Sequence, residues 1–216
     1  MNTYLQQLKK QNIFQEDIYS YLEFCSFKKN TCILHQGEKI QYLYILVNGK
    51  VKTCHTTSNG LMILNAFSKP ITVIGEIEFL NDIDIINDIY TLEDCSFFRI
   101  SIHQYKNQLI NDTLFMRYLA KSLAIKLYKN NHNTSISINY PVENRLASYL
   151  MACRQNNIVD INLVQSAEML GCSYRQLQRT IHHFIEMKYI EKLKRGSFFI
   201  LDPQHLDQLG QDLYYL

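Results

Sequence analysis

Apolar residues recur at helical spacing near the two ends of the chain and in alternation between them. Residues 2–24 carry Leu5 and Leu8, then a stripe of Ile13, Phe14, Ile18, Tyr21 and Leu22, which predicts a helical cap. From Thr31 the period falls to two. TCILH, YLYILV, KVKTCHT and LMILNAF are short β-rich runs, and NDIYTL and CSFFRI continue them to about Ile100. Asn48-Gly49 and Asn59-Gly60 join neighbouring runs, and Asn-Gly between apolar alternations is a strong local hairpin signal. Gly37 and Gly75 mark further turns. Short strands with regular turns predict an antiparallel sandwich or barrel.

After Ser101 the helical period returns. His103–Ile110 predicts a short helix, and Asn111 or Asp112 caps a long one that reaches about Asn130 or beyond. Phe115, Leu119 and Leu123 share one side of it; Leu114, Tyr118, Ile125 and Tyr128 share another. A helix apolar on two sides needs two partners. One is its own β domain. The other is the same helix of a second copy, with Phe115, Leu119 and Leu123 as the dimer interface; a helix shared by two domains of a monomer is the alternative. The polar stretch Asn130–Asn139 reads as a hinge, and Pro141 opens a further helix, Val142 to Gln155.

The segment from Asn162 to Gly196 carries the clearest chemistry. A helix from Leu163 to Leu170 presents Val164, Ala167 and Leu170 on one face, and Gly171 follows where a helix C-terminus wants positive φ. Ser173 is an N-cap, and a second helix, Tyr174 to Met187, buries Leu177, Ile181, Phe184 and Ile185. Two helices about a glycine turn form the DNA-binding helix-turn-helix, whose second helix enters the major groove. Arg175 and Arg179 lie four apart and can enter together as guanine readers. Gln176 suits adenine and Tyr174 a phosphate, with Ser173, Gln178 and His182 completing the face. Lys194 and Arg195 sit at the tip of a following hairpin, where a wing meets phosphates.

Charge sharpens this picture. Gly171–Ser197 holds six Arg or Lys against two Glu, a net +4, whereas the whole chain is only +2. Such a local excess fits a DNA surface; a helical hairpin with a solvated basic face is the plainer alternative. The chain of 216 residues has room for one large domain or two small ones. Its N-terminus lacks the apolar core of a signal peptide, and no run approaches membrane-span length, so a cytoplasmic location and no membrane partner are expected. The six Cys show no close pairing and read as reduced thiols.

The order of elements resembles the Crp/Fnr family of bacterial transcription regulators over almost the whole chain. In the β region the resemblance rests on HQGEKIQYLYILVNGKV (His35–Val51), the Asn59-Gly60 turn and IGEI (Ile74–Ile77). In the C-terminal region it rests on PVENRLASYL (Pro141–Leu150) and LGCSYRQLQR (Leu170–Arg179). The resemblance implies an α+β chain in three parts. Residues 1–110 form a cyclic-nucleotide-binding-like sensor, an antiparallel β-roll of double-stranded β-helix or jelly-roll type. Residues 111–139 form a central dimerisation helix and hinge, and 140–216 a winged helix-turn-helix. It further implies a homodimer on inverted-repeat double-stranded DNA, with RNA polymerase as another partner.

Two departures from the family pattern stand out. Many members follow the Ser with Arg-Glu and keep an Arg four residues further on; here Ser173 precedes Tyr174 and Arg175, with Arg179 retained. A cation replaces an acid at the second reading position, so the preferred half-site is expected to differ. In the sensor, cyclic-nucleotide binders place a Glu on the ribose and an Arg on the phosphate some ten residues later. Gly75-Glu76 stands, but the Arg position falls at Ile86-Asn87, making Gly75, Glu76, Ile86 and Asn87 the candidate effector pocket. Residues 77–98 hold no Lys or Arg and six acids, surroundings that disfavour a buried phosphate. The cofactor is therefore left unknown and cyclic AMP is not expected.

Redox or iron-sulfur sensing by Cys25, Cys32, Cys54 and Cys95 is an alternative. Without any C-x-x-C spacing, however, buried small hydrophobes explain these cysteines as well. A haem ligand among His35, His55 and His103 is not singled out, and no His-rich metal set or nucleophile–base constellation predicts an enzyme. A regulator whose sensor serves only dimerisation is the remaining option.

Overall fold

The computed structural model describes residues 2–15, 17–211 and 213–215, with the side chains of residues 2 and 130–139 left out of the description. The chain divides into two compact units. One comprises Met1–Thr53 and Ser68–Lys129, the other Cys54–Phe67 and Asn130–Tyr215. The segment Cys54–Phe67 thus sorts with the C-terminal residues, a division that differs from the expected boundaries at 110 and 140.

In the first unit α1 (Asn2–Lys10) and a 3-10 turn (Ile18–Tyr21) precede β1 (Glu23–Phe27) and β2 (Cys32–Leu34). The helical reading of residues 2–24 therefore holds only in part, and β1 was hidden by the aromatic stripe beside it. Next come β3 (Tyr42–Asn48), the start of β4 (Val51–Thr56) and β6 (Thr72–Ile74), while the end of β4 and nearly all of β5 (Met62–Ser68) fall in the Cys54–Phe67 segment of the second unit. A short helix, α2 (Glu76–Asn81), interrupts the expected strands, followed by β7 (Asp88–Thr91) and β8 (Cys95–Ser101). The strand orders are β1-β8-β3-β6 and β2-β7-β4-β5.

Strands β3 and β8 are apolar on both faces because both faces are covered. Leu43, Ile45 and Val47 join Phe98 and Ile100 in a core with Leu8, Ile13, Phe14 and Ile18 of the N-terminal cap. The alternate residues Tyr44, Leu46 and Phe97 face a second core with Leu34, Val51, Ile74 and Ile89.

Helices α3 (Ile102–Asn111) and α4 (Thr113–Asn139) follow. Asp112 caps α4: its carboxylate accepts from the N–H groups of Leu114 and Phe115 at 3.0 and 3.1 Å, and from Gln15 at 2.8 Å. The backbone of α4 stays helical through Asn139, so the break falls at Tyr140–Pro141 and not inside the polar stretch. The hinge reading of the 130–139 side chains lies outside the described residues.

The second unit is built on α5 (Val142–Cys153), β9 (Ile158–Asp160), α6 (Leu163–Met169), α7 (Tyr174–Glu186), β10 (Ile190–Lys194), β11 (Ser197–Ile200) and α8 (Pro203–Gly210). Leu146, Leu150, Ala167, Leu177, Phe184 and Phe198 form its core. The ring of Phe67, at the end of β5, is fully buried against Tyr149, Tyr214 and Tyr215, and its N–H donates to the Tyr214 carbonyl at 2.6 Å. No helix among the described residues is long and apolar enough to cross a membrane.

Candidate nucleic-acid interface

The turn between α6 and α7 is closed by caps on both helices. Asn162 caps α6, its side chain accepting from Val164 and Gln165. At the other end the N–H of Cys172 donates to Ala167 and that of Gly171 to Glu168, the paired bonds of a Schellman motif, with Gly171 at φ 60°. Ser173 and Gln176 form a capping box. The Gln176 N–H donates to Ser173 Oγ at 3.1 Å, and Gln176 Oε1 accepts from the Ser173 N–H at 2.9 Å. Buried Arg145 of α5 donates to the carbonyl of Leu170, fixing the turn from behind.

Amphipathicity then sets what α7 shows. Leu177, Thr180, Ile181 and Phe184 are buried, and Arg175, Gln178, Arg179 and His182 are exposed. Among the described residues neither Arg175 nor Arg179 makes an ion pair or hydrogen bond within the chain, so both guanidinium forks are available. The remaining candidates divide. Gln176 has its side chain folded back into the capping box, its Oε1 engaged by the Ser173 N–H. Gln178 donates to the Tyr174 hydroxyl at 3.2 Å, tying those two together, and His182 lies 3.7 Å from Glu186. Val164, expected on the core side of α6, is 54% exposed; Ser166 and Met169 are buried instead.

Beside α7 stands the wing. Strands β10 and β11 pair antiparallel, with β9 on the far side of β11. Lys194 and Arg195 are exposed at its tip. The turn needs Gly196: its φ is 76°, and a Cβ there would come within 2.5 Å of the Ile161 carbonyl oxygen. A cleft of about 700 Å³ separates helix from wing, lined by Tyr174, Gln178, His182, Lys192 and Arg195 over an apolar floor of Ile181 and Phe198.

In the sensor, the candidate pocket residues gather around α2. Gly75 and Glu76 begin α2, and Glu76 is buried. Its carboxylate is met by Lys126 of α4, with Nζ 2.5 Å from Oε1. The cation missing from residues 77–98 is thus supplied from a distant helix, onto the carboxylate that the resemblance assigns to ribose. Three acids of that stretch are matched likewise: Asp82 by Lys106, Asp84 by Lys39 and Asp94 by Lys28. The Ile86 N–H donates to Glu78 at 3.1 Å, and Asn87 is half-buried beside it.

Two of the three expected dimer residues are displaced. Phe115 and Leu119 are buried within the sensor's own core, Phe115 stacked on Phe14 at 4.7 Å, so neither can meet a second copy. Leu123 is half-buried. The opposite face of α4 exposes Leu127 and Tyr128, by 62% and 76%. Among the described residues, none of the six cysteines forms a disulfide. Burial pushes the thiols of Cys25 and Cys32 up and that of Cys95 to about 11, while Cys54 is buried, conditions that suppress the reactive thiolate.

The same two parts are found in known proteins. The cyclic nucleotide-binding domain profile matches residues 24–112, and that of the Crp-like helix-turn-helix domain matches residues 144–209. Regulatory protein YeiL of Escherichia coli O157:H7 is 28% identical over 200 residues, 93% of this chain and 91% of its own. Among solved structures, a Crp/Fnr regulator candidate from Eubacterium rectale superposes with a TM-score of 0.74 at 19% identity, covering 94% of both chains. A Crp/Fnr-family transcriptional regulator from Thermus thermophilus gives 0.70 at 18%, covering 88% of this chain and 98% of its own. At these identities the two structures speak to the fold alone.

Proposed function

Since the chain belongs to the Crp/Fnr family of DNA-binding transcription regulators, we propose that it acts as a homodimer on an inverted repeat, reads that repeat with Arg175 and Arg179, and answers to an effector other than cyclic AMP. The observation that carries the reading is the pair of unengaged arginines on the first two turns of a helix closed at its N-terminus by a capping box. Both suit bidentate contacts to guanine O6 and N7. Lys194 and Arg195 suit phosphates, which position the protein without reading sequence.

For the dimer, the seam is the face of α4 that the sensor leaves uncovered, with Leu127 and Tyr128 and, toward its start, Ala120 and Ala124. A hundred degrees per residue puts these four together, opposite Phe115 and Leu119. For the effector, Lys126 on Glu76 speaks against a ribose hydroxyl at that carboxylate, since a nucleotide would have to displace an internal ion pair. The same pair favours a second reading, a regulator that needs no effector at all. RNA polymerase remains a proposed partner on family grounds. Footprinting on a selected site tests the whole: one dimer should protect two half-sites, and protection of a single unsymmetrical half-site would refute the assembly.

A further inference from the structure

One cluster in the sensor belongs to none of these roles. Cys32 lies on β2, His35 in the turn that follows, and Asp88 at the start of β7. Their sulfur, imidazole nitrogen and carboxylate oxygen atoms all lie within 4.8 Å of one another, the one such group among the described residues.

The fold brings them together by identifiable means. Strands β2 and β7 pair antiparallel, Cys32 opposite Tyr90 and Leu34 opposite Ile89, with an irregularity in register between them. That irregularity and the turn after Leu34 return His35 toward Cys32, although the two are three residues apart. The turn is pinned by Glu38 N–H to the His35 carbonyl at 3.2 Å and Gly37 N–H to the Ile85 carbonyl at 2.7 Å. Asp88 is largely buried, and Gln36 N–H donates to its Oδ1 at 3.0 Å. A carboxylate oriented by a backbone donor is the kind of supported ligand that metal sites use.

We propose that Cys32, His35 and Asp88 bind one borderline divalent cation of the Zn²⁺ class, leaving a fourth position open on the exposed His35 side. Bond lengths of about 2.0–2.3 Å to S, N and O ligands put tetrahedral donors roughly 3.5 Å apart, within small side-chain rotations of the observed spacing. Thiolate with imidazole and carboxylate selects this class over Ca²⁺ or Mg²⁺, which take oxygen ligands. A cation shared by sulfur and carboxylate offsets the closeness of these two acidic groups, and its binding displaces the thiol proton to solvent. The ion would clamp β2 to β7 at the start of the sensor. The inference rests on the sensor residues alone and stands or falls independently of how the C-terminal unit reads DNA.

The test uses full-length, reduced, chelator-treated protein titrated with Co²⁺ and then Zn²⁺, followed by absorbance and calorimetry. The expected result is about one Co²⁺ per chain, with a thiolate-to-cobalt charge-transfer band that Zn²⁺ abolishes. Cys32→Ser should lose the band, and both Cys32→Ser and His35→Ala should weaken binding by at least about tenfold, while Cys25→Ser behaves as wild type. His35 is exposed, so His35→Ala tests the ligand without disturbing the core. Absence of the band in wild-type protein would overturn the proposal. So would unchanged affinity in both Cys32→Ser and His35→Ala.

Discussion

Lys126 of α4 reaches Glu76 at the first position of α2, its Nζ 2.5 Å from Oε1 and 3.1 Å from the Val73 carbonyl. The carboxylate is 5% exposed and the ammonium 17%. Removing one partner of such a pair leaves the other charge stranded, at a cost approaching ~3–5 kcal/mol. Lys126→Met should therefore destabilise the sensor unit in urea unfolding, and the double variant Lys126→Met with Glu76→Gln should recover part of the loss. Additive losses would mean that the two groups do not act as a pair.

The same pair bears on ligand choice. Calorimetry of wild-type protein with millimolar cyclic AMP should show no binding. A micromolar dissociation constant with DNA affinity raised in parallel would contradict the sensor reading.

Behind the reading head, Arg145 donates to the Leu170 carbonyl in a buried site where its Nε has no partner among the described residues. A hydrogen bond from a charged donor contributes about 1.5–3 kcal/mol. Arg145→Ala should lose stability on that scale and weaken DNA binding through the placement of α7, without changing which sequence is preferred. Calorimetric melting and binding on a fixed site check the two halves of this outcome.

The seam proposed on α4 makes the assembly testable by contrast. Leu127→Glu with Tyr128→Glu should give folded monomers in sedimentation, because both side chains are exposed in the single chain. Leu119→Glu should instead unfold the sensor, since Leu119 is 1% exposed in its core. Dimers surviving the first pair would place the interface elsewhere.

Alkaline stability follows from Cys95. Its thiol is held up at about 11 against an ordinary 9.0, chiefly by burial. The folded chain therefore keeps a proton that the unfolded chain loses, and stability falls as pH rises from about 9 to 11. Cys95→Ala should show a shallower fall across that window in denaturant unfolding.

How much of this was legible in the sequence follows from which forces were local. Caps and periodicity were: Ser173, Gly171, Asp112 and most of the α7 face stand as the spacing predicts, because each depends on neighbours within a few residues, although Ile185, expected in the core, is only half-buried. The capping box was equally local, and the Ser-x-x-Gln spacing of Ser173 and Gln176 could have announced it. Long-range pairing was not legible. Nothing near Glu76 announces Lys126, fifty residues away. The α4 stripe named Phe115 and Leu119 as apolar but could not say which of two partners covers them. Cys32, His35 and Asp88 meet only through the pairing of β2 with β7, so no motif scan finds them.

Arg175 and Arg179 are proposed to read bases, while Lys194 and Arg195 of the wing contact phosphates. Selection of binding sites from random double-stranded DNA, with wild type, Arg175→Ala, Arg179→Ala and the Lys194→Ala, Arg195→Ala pair, tests it most directly. Wild type should select an inverted repeat with half-sites about 34 Å apart. Each α7 variant should lose preference at one position per half-site and about 1–3 kcal/mol. The wing pair should keep the wild-type preference while weakening every sequence and flattening the salt dependence. Arginine variants that select the wild-type site with wild-type affinity would contradict the account.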